Sequence, residues 1–95
     1  MSAYVIVDVE VTDPARYQDY RAMVPASLAK YGGRFVVRGG AHQVLEGDWQ
    51  PTRVVVLEFP SVEQARRWYD SEEYRPAKAL RMQTARTRLV LVEGV

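Results

Sequence analysis

The sequence predicts an α+β domain built strand–helix–strand–strand–helix–strand, and three observations predict it. Residues alternate with period two over 4–11, 34–46, 52–59 and 88–92. Helical spacing fills 14–31 and runs from 61 to about 85. The order of the two periodicities is a split βαβ unit repeated once, the ferredoxin-like βαββαβ protomer with a four-stranded antiparallel sheet. Two helices cover only one face of such a sheet, so the other face meets water, a ligand or a second copy of the chain.

The first strand sets Val5, Val7, Val9 and Val11 against Tyr4, Ile6, Asp8 and Glu10. Asp13-Pro14 is a helix start, with Asp as N-cap and Pro at the first helical position. Tyr17, Tyr20, Val24, Leu28 and Tyr31 then share one stripe of the helical wheel. Pro25 lies off that stripe and costs a backbone hydrogen bond. Gly32-Gly33 ends the helix. In the second strand Arg34, Val36 and Arg38 alternate with Phe35 and Val37, and Gly39-Gly40 signals a bulge or bend before the strand resumes through His42 and Val44. Residues 46–51 form the turn into a third strand with Val55, Leu57 and Phe59 on one side and Val54, Val56 and Glu58 on the other. Ser61 and Gln64 carry a capping-box signature. Asp70-Ser71 breaks the second helical stretch, and Ser71 recaps a segment carrying Tyr74, Ala77, Leu80 and Thr84. The last strand sets Val90 and Val92 against Leu89, Leu91 and Glu93.

On this reading helices cover Val5, Val7, Val9, Val55, Leu57, Phe59, Val90 and Val92. The open face holds Tyr4, Ile6, Val54, Val56, Leu89 and Leu91, ringed by Asp8, Glu10, Glu58, Glu93, Arg34 and Arg38. Six large apolar residues are more than a monomer leaves wet. At ~25 cal/mol per Å², covering them yields several kcal/mol before association costs. The expected partner is the chain itself, in a two-fold homodimer packed sheet to sheet.

Composition narrows the functional classes. Ninety-five residues with 47% hydrophobic and 26% charged side chains make one domain, residues 1–95. A net charge of +1 argues against a nucleic-acid partner. The segment 33–37 faintly resembles an RNA-recognition strand but lacks the second aromatic pair that stacks on bases. Cysteine is absent, which excludes disulfides, thiolate metal sites and cysteine nucleophiles. No apolar run approaches the ~20 residues of a membrane span, and the N-terminus lacks signal-peptide character, so no membrane association and a cytoplasmic location are expected. No nucleotide-binding or common hydrolase motif occurs, and neither a cofactor nor a metal is expected.

The segments Arg38-Gly39-Gly40, Glu46-Gly47-Asp48-Trp49, Leu57-Glu58-Phe59-Pro60-Ser61 and Trp68-Tyr69-Asp70-Ser71-Glu72-Glu73-Tyr74 together resemble domain-of-unknown-function family 1330, small bacterial proteins of the dimeric α+β-barrel superfamily. The resemblance covers essentially the whole chain, and Trp-Tyr-Asp-Ser-x-x-Tyr is its most specific part. It implies a ferredoxin-like protomer and a dimer whose two sheets form a barrel. It implies no activity. More distant superfamily members include cofactor-free monooxygenases, muconolactone isomerase and stress-responsive proteins, in which a small ligand sits between helices and sheet. No catalytic motif transfers from them residue by residue.

The candidate site residues each have a plainer reading. His42 is the only histidine and a candidate general base, or else an exposed loop residue. Arg38, beside the glycine pair, is a candidate anion holder, or else an ion-pair partner of Asp8 or Glu58 across the dimer. Tyr17, Tyr20 and Tyr69 are candidate ligand contacts because buried hydroxyls need partners, although aromatics at helical spacing also make plain core. Trp49, in the turn, contacts the partner subunit or lids a pocket. Arg81 reaches a cavity or lays its stem along apolar surface with its head in water. Asp8 and Glu10 are a carboxylate pair, or solvated and paired with arginine. The functional expectation is a homodimer binding a small aromatic or carboxylate-bearing molecule between helices and sheet. If catalytic, it is a cofactor-free isomerase, lyase or monooxygenase with His42 and Arg38 as catalytic residues. The alternative is a non-catalytic structural or regulatory dimer.

Overall fold

A computed structural model describes residues 1–95. Seven elements follow one another: β1 (Ala3–Val11), α1 (Pro14–Lys30), β2 (Arg34–Arg38), β3 (Val54–Phe59), α2 (Val62–Tyr69), α3 (Arg75–Thr84) and β4 (Ala85–Glu93). The four strands form one antiparallel sheet in the order β2-β3-β1-β4. This is the ferredoxin-like topology, with the second helix of the pattern divided into α2 and α3. The slab measures 35 × 33 × 17 Å, one sheet and one helical layer thick. No helix is long and apolar enough to cross a membrane.

Local chemistry sets the element ends. The Asp13 carboxylate accepts the Arg16 amide at 3.3 Å, and Pro14 opens α1. At the other end Gly32 takes φ +74°, its amide reaching the Ala29 carbonyl and the Gly33 amide reaching that of Leu28. These two bonds make a Schellman motif, which needs a left-handed residue where glycine stands. Ser61 caps α2 by accepting the Gln64 amide at 3.1 Å. The Gln64 side chain does not return to Ser61 but turns toward the Tyr31 carbonyl, so only half of a capping box forms. Ser71 accepts the Tyr74 amide and closes the turn between α2 and α3.

Central strand β1 pairs with β3 on one side and β4 on the other. Val5, Val7 and Val9 face the helices together with Val55, Leu57 and Phe59, and all six are buried. The phase of β4 is the reverse of the sequence expectation. Leu91 pairs with Val5 and Leu89 with Val7, so the leucines pack on the core. Val90 and Val92 stay 59% and 43% exposed on the open face. The run Leu89–Val92 is apolar at every position, so periodicity alone cannot choose its inner side; pairing with β1 does.

Two corrections concern β2. The strand ends at Arg38, and residues 39–53 form an irregular segment, exposed through residue 50, rather than a continued strand with His42 and Val44. Alternation in 41–45 finds no partner strand and therefore makes no ladder. The bulge falls earlier than the glycine pair, between Phe35 and Val37, where the register shifts by one residue. It separates two arginines that simple alternation places on one face. Arg34 opposes Glu58 on the open face, whereas Arg38 opposes Val55 on the helix-facing side.

The α2–α3 turn is tied to the end of α1 by Glu73, which accepts Lys30 Nζ at 2.7 Å and Tyr31 Oη at 2.6 Å. These two donors hold its carboxyl at about 2, below an ordinary value of 4.5. A depressed folded-state pKa stabilises the native state above the ordinary carboxylate range and ceases to do so as pH falls through the lowered value. Thermal melts of wild type and Glu73→Gln from pH 7 to pH 2 are expected to differ at neutral pH and to converge between about 4.5 and about 2.

Candidate functional site

A cavity of about 30 Å³, open to solvent on one side, lies between the helical layer and the β2–β3–β1 half of the sheet. It is deep enough for one or two water-sized groups. Its floor is apolar: Val7, Val9, Val55 and Leu57 from the sheet, with Val24 and Trp68 from the helices. Into this setting come three tyrosines, Tyr17, Tyr20 and Tyr74, and four arginines, Arg21, Arg38, Arg53 and Arg81.

Each polar residue arrives by an identifiable local cause. Tyr17, Tyr20, Arg21 and Val24 share the inner stripe of α1 at helical spacing. Arg81 stands four residues after buried Ala77 and three before buried Thr84 on α3 and is itself only 4% exposed. Its Nη1 donates to Tyr74 Oη at 3.0 Å, and Tyr74 Oη lies 3.0 Å from Tyr20 Oη. Burial raises the pKa values of both Tyr20 and Tyr74, keeping the phenols protonated. For Arg81, burial works against the charge, but the Tyr74 and Tyr20 oxygens outweigh it and the pKa moves up.

Arg38 reaches the cavity because of the β2 bulge and is then held there by a proline. Pro25 has no amide hydrogen, so the Arg21 carbonyl four residues earlier loses its helical donor. Arg38 Nη2 supplies the missing bond at 3.0 Å, with its guanidinium 4.1 Å from the Phe35 ring centroid. Burial, then repulsion from Arg21 and Arg53, lowers the Arg38 pKa. Arg53 lies just before β3. Gly39, at φ +73°, leaves the space its guanidinium occupies; a Cβ there would fall on the guanidinium itself.

The residues singled out from sequence thus divide. Tyr17, Tyr20, Arg38 and Arg81 meet in this cavity. Tyr69 lines a separate depression with Val5, Ala65 and Leu91, its ring beneath Lys78 Nζ at 4.1 Å. Trp49 sits over the other end of the sheet, where its Nε1 donates to Asp8 Oδ2 at 3.0 Å. That bond, with the Thr52 amide on Oδ1, lowers the Asp8 pKa. Glu10 pairs loosely with Arg86 at 3.9 Å. His42 is exposed in the 39–53 segment and does not line the cavity. Sequence reasoning missed Arg21 and Arg53. Arg21 had a signal, its spacing of four from Tyr17; Arg53 had none before the third dimension. No group of three or more histidine, cysteine or carboxylate side chains is placed to hold a metal.

The family that matches the chain is described as "Domain of unknown function (DUF1330)" and spans residues 2–95. Among curated proteins nothing matches. Among solved structures, a protein of unknown function from Rhodopseudomonas palustris is 21% identical with a TM-score of 0.78, over 99% of this chain and 82% of that one. A dimeric ferredoxin-like protein of unknown function from Jannaschia sp. CCS1 is 14% identical with a TM-score of 0.73, over 99% and 100% of the two chains. SnoaB, a cofactor-independent oxygenase from Streptomyces nogalater, is 15% identical with a TM-score of 0.67, over 99% and 93%. At these identities the likeness is one of fold.

The cavity wall depends on one buried polar relay. Trp68 Nε1 donates to Ser27 Oγ at 3.1 Å, and Ser27 Oγ donates to the Val24 carbonyl at 2.8 Å. Ser27→Ala leaves the indole N–H buried without an acceptor and is expected to cost about 1–3 kcal/mol, read by urea denaturation. In a Trp68→Phe background the same substitution is expected to cost measurably less.

Proposed function

Because the chain belongs to the DUF1330 family, whose description assigns no activity, we propose from its own residues that it is a homodimer, packed sheet to sheet, whose protomers each bind a small molecule between helices and sheet. The observation that carries the ligand half is the cavity itself. A mostly apolar pocket into which a few polar groups converge is the usual form of a small-molecule site.

The dimer half rests on the open face. It carries Tyr4, Ile6, Val54, Val56, Val90 and Val92, and no element of the chain covers it. A slab 35 × 33 Å across meets the ~800 Å² per partner of a stable interface. Around it, Glu58 accepts Arg34 and Tyr4, which lower its pKa, so the rim is polar and satisfied. The dimeric description of the Jannaschia protein agrees with this assembly.

Between an enzyme and a binding protein, the lining favours binding. The catalytic form, a cofactor-free isomerase, lyase or oxygenase, draws on the likeness to SnoaB and takes His42 as base and Arg38 as anion holder. Yet His42 lies outside the lining, and the lining phenols that shift do so upward, away from neutrality.

Sedimentation velocity at micromolar concentration is expected to show a two-chain species, and a single-chain species would contradict the assembly. Val90→Arg sets a charge into the proposed interface and is expected to weaken association by roughly 100-fold or more. Native mass spectrometry of freshly purified protein is expected to retain a small molecule on the dimer. With that molecule in hand, His42→Ala separates the two forms: an enzyme built on this residue loses turnover, whereas a binding protein keeps its affinity.

A further inference from the structure

The polar lining of the cavity holds no anion: its guanidiniums only donate, and its phenols, which can also accept, are the sole side-chain acceptors. Its seven polar side chains are arginines and tyrosines; carboxylate, amide, imidazole and aliphatic hydroxyl are all absent. The chain's ion pairs lie elsewhere, in Lys30–Glu73, Arg34–Glu58, Arg66–Asp70, Arg75–Glu72 and Arg86–Glu10. Arg21, Arg38, Arg53 and Arg81 therefore converge with no protein anion among them.

Their hydrogen bonds are also incomplete. The Nε atoms of Arg21, Arg53 and Arg81 are buried with no acceptor. Arg81 is the sharpest case, 4% exposed, its Nε without an acceptor while its Nη1 bonds Tyr74 and the Tyr69 hydroxyl lies beside it. Proton counting extends the deficit. Arg81 can only donate, so Tyr74 Oη accepts from it. Tyr74 and Tyr20 share one bond between their hydroxyls. Whichever donates, one phenolic proton remains without an acceptor. A buried guanidinium and a spare phenolic O–H face the same space, and both require an anion or acceptor that the chain does not provide.

We propose that this cavity is a carboxylate receptor, with the ligand's carboxylate seated between Arg81 and the Tyr20–Tyr74 pair and its apolar, aromatic-sized body leading toward Arg38 at the mouth. The inference rests on the small-molecule reading above and supplies its chemical class. A planar carboxylate matches the guanidinium fork, which donates in parallel pairs. The void of about 30 Å³ suits the head group alone. Room for the body comes from Arg38, exposed and held by one bond to the Arg21 carbonyl and by its stacking on Phe35. Pro25 thus parks an exposed cation at the entrance, where it can transfer to the incoming ligand.

The test is a titration of the dimer with benzoate and 2-naphthoate against their neutral amides, followed by heteronuclear NMR with Val24 and Leu89 as cavity reporters. Carboxylates are expected to shift those signals and to bind at least tenfold more tightly than the amides. Arg53→Gln and Arg81→Met are each expected to weaken carboxylate binding tenfold or more and to leave amide binding within twofold. If Arg81→Met does not fold, Tyr20→Phe, which removes a phenolic donor from the proposed carboxylate seat, carries the comparison and is expected to weaken carboxylate binding while leaving amide binding within twofold. Equal binding of amides and carboxylates at the cavity overturns the anion assignment and leaves the small-molecule pocket standing. Carboxylate shifts confined to surface residues overturn the assignment as well. No binding by either series at millimolar concentration overturns both readings.

Discussion

Strand β1 is the constraint on which the rest of the molecule depends. It is hydrogen-bonded on both edges, so its alternation is imposed on β3 and β4 at once. Val5, Val7 and Val9 point one way and draw the helices onto that side. Tyr4 and Ile6 point the other way and leave a face that no helix of the chain covers, Trp49 and Thr52 reaching only its Asp8 end. Every later feature inherits this division. The cavity belongs to the first side, and the assembly surface to the second.

Within the first side, small irregularities do the positioning. A single extra residue in β2 turns Arg38 inward while Arg34 remains with Glu58. A proline inside α1 frees the carbonyl that holds Arg38. A left-handed glycine makes room for Arg53. Each departs from regular structure, and each is coupled to an arginine at the same cavity. The outcome is a positively charged pocket without an anion, in a core whose floor is valine and leucine, a costly arrangement unless something negative enters it.

Much of the fold is legible in the residues. Asp13-Pro14, Gly32-Gly33 and Ser61 mark real element ends, and the alternation of β1 and β3 assigns their faces correctly. Legibility fails where both sides of a strand are apolar. Leu89–Val92 gives no phase, and Val36-Val37 hides the bulge because either valine suits either face. It also fails where a local pattern lacks a partner, as in 41–45, which alternates but pairs with nothing. At the site, Tyr17, Tyr20 and Arg81 could be found from helical spacing. Arg53 could not, because its place is set by Gly39, which is neighbouring only in space.

The division of faces is tested most directly by an isotope-filtered NOE experiment on dimers mixed from labelled and unlabelled chains. The account predicts intermolecular contacts from the methyls of Ile6, Val90 and Val92 and none from Val5, Val7 or Leu57. Intermolecular contacts from the second set, or silence from the first, would contradict it.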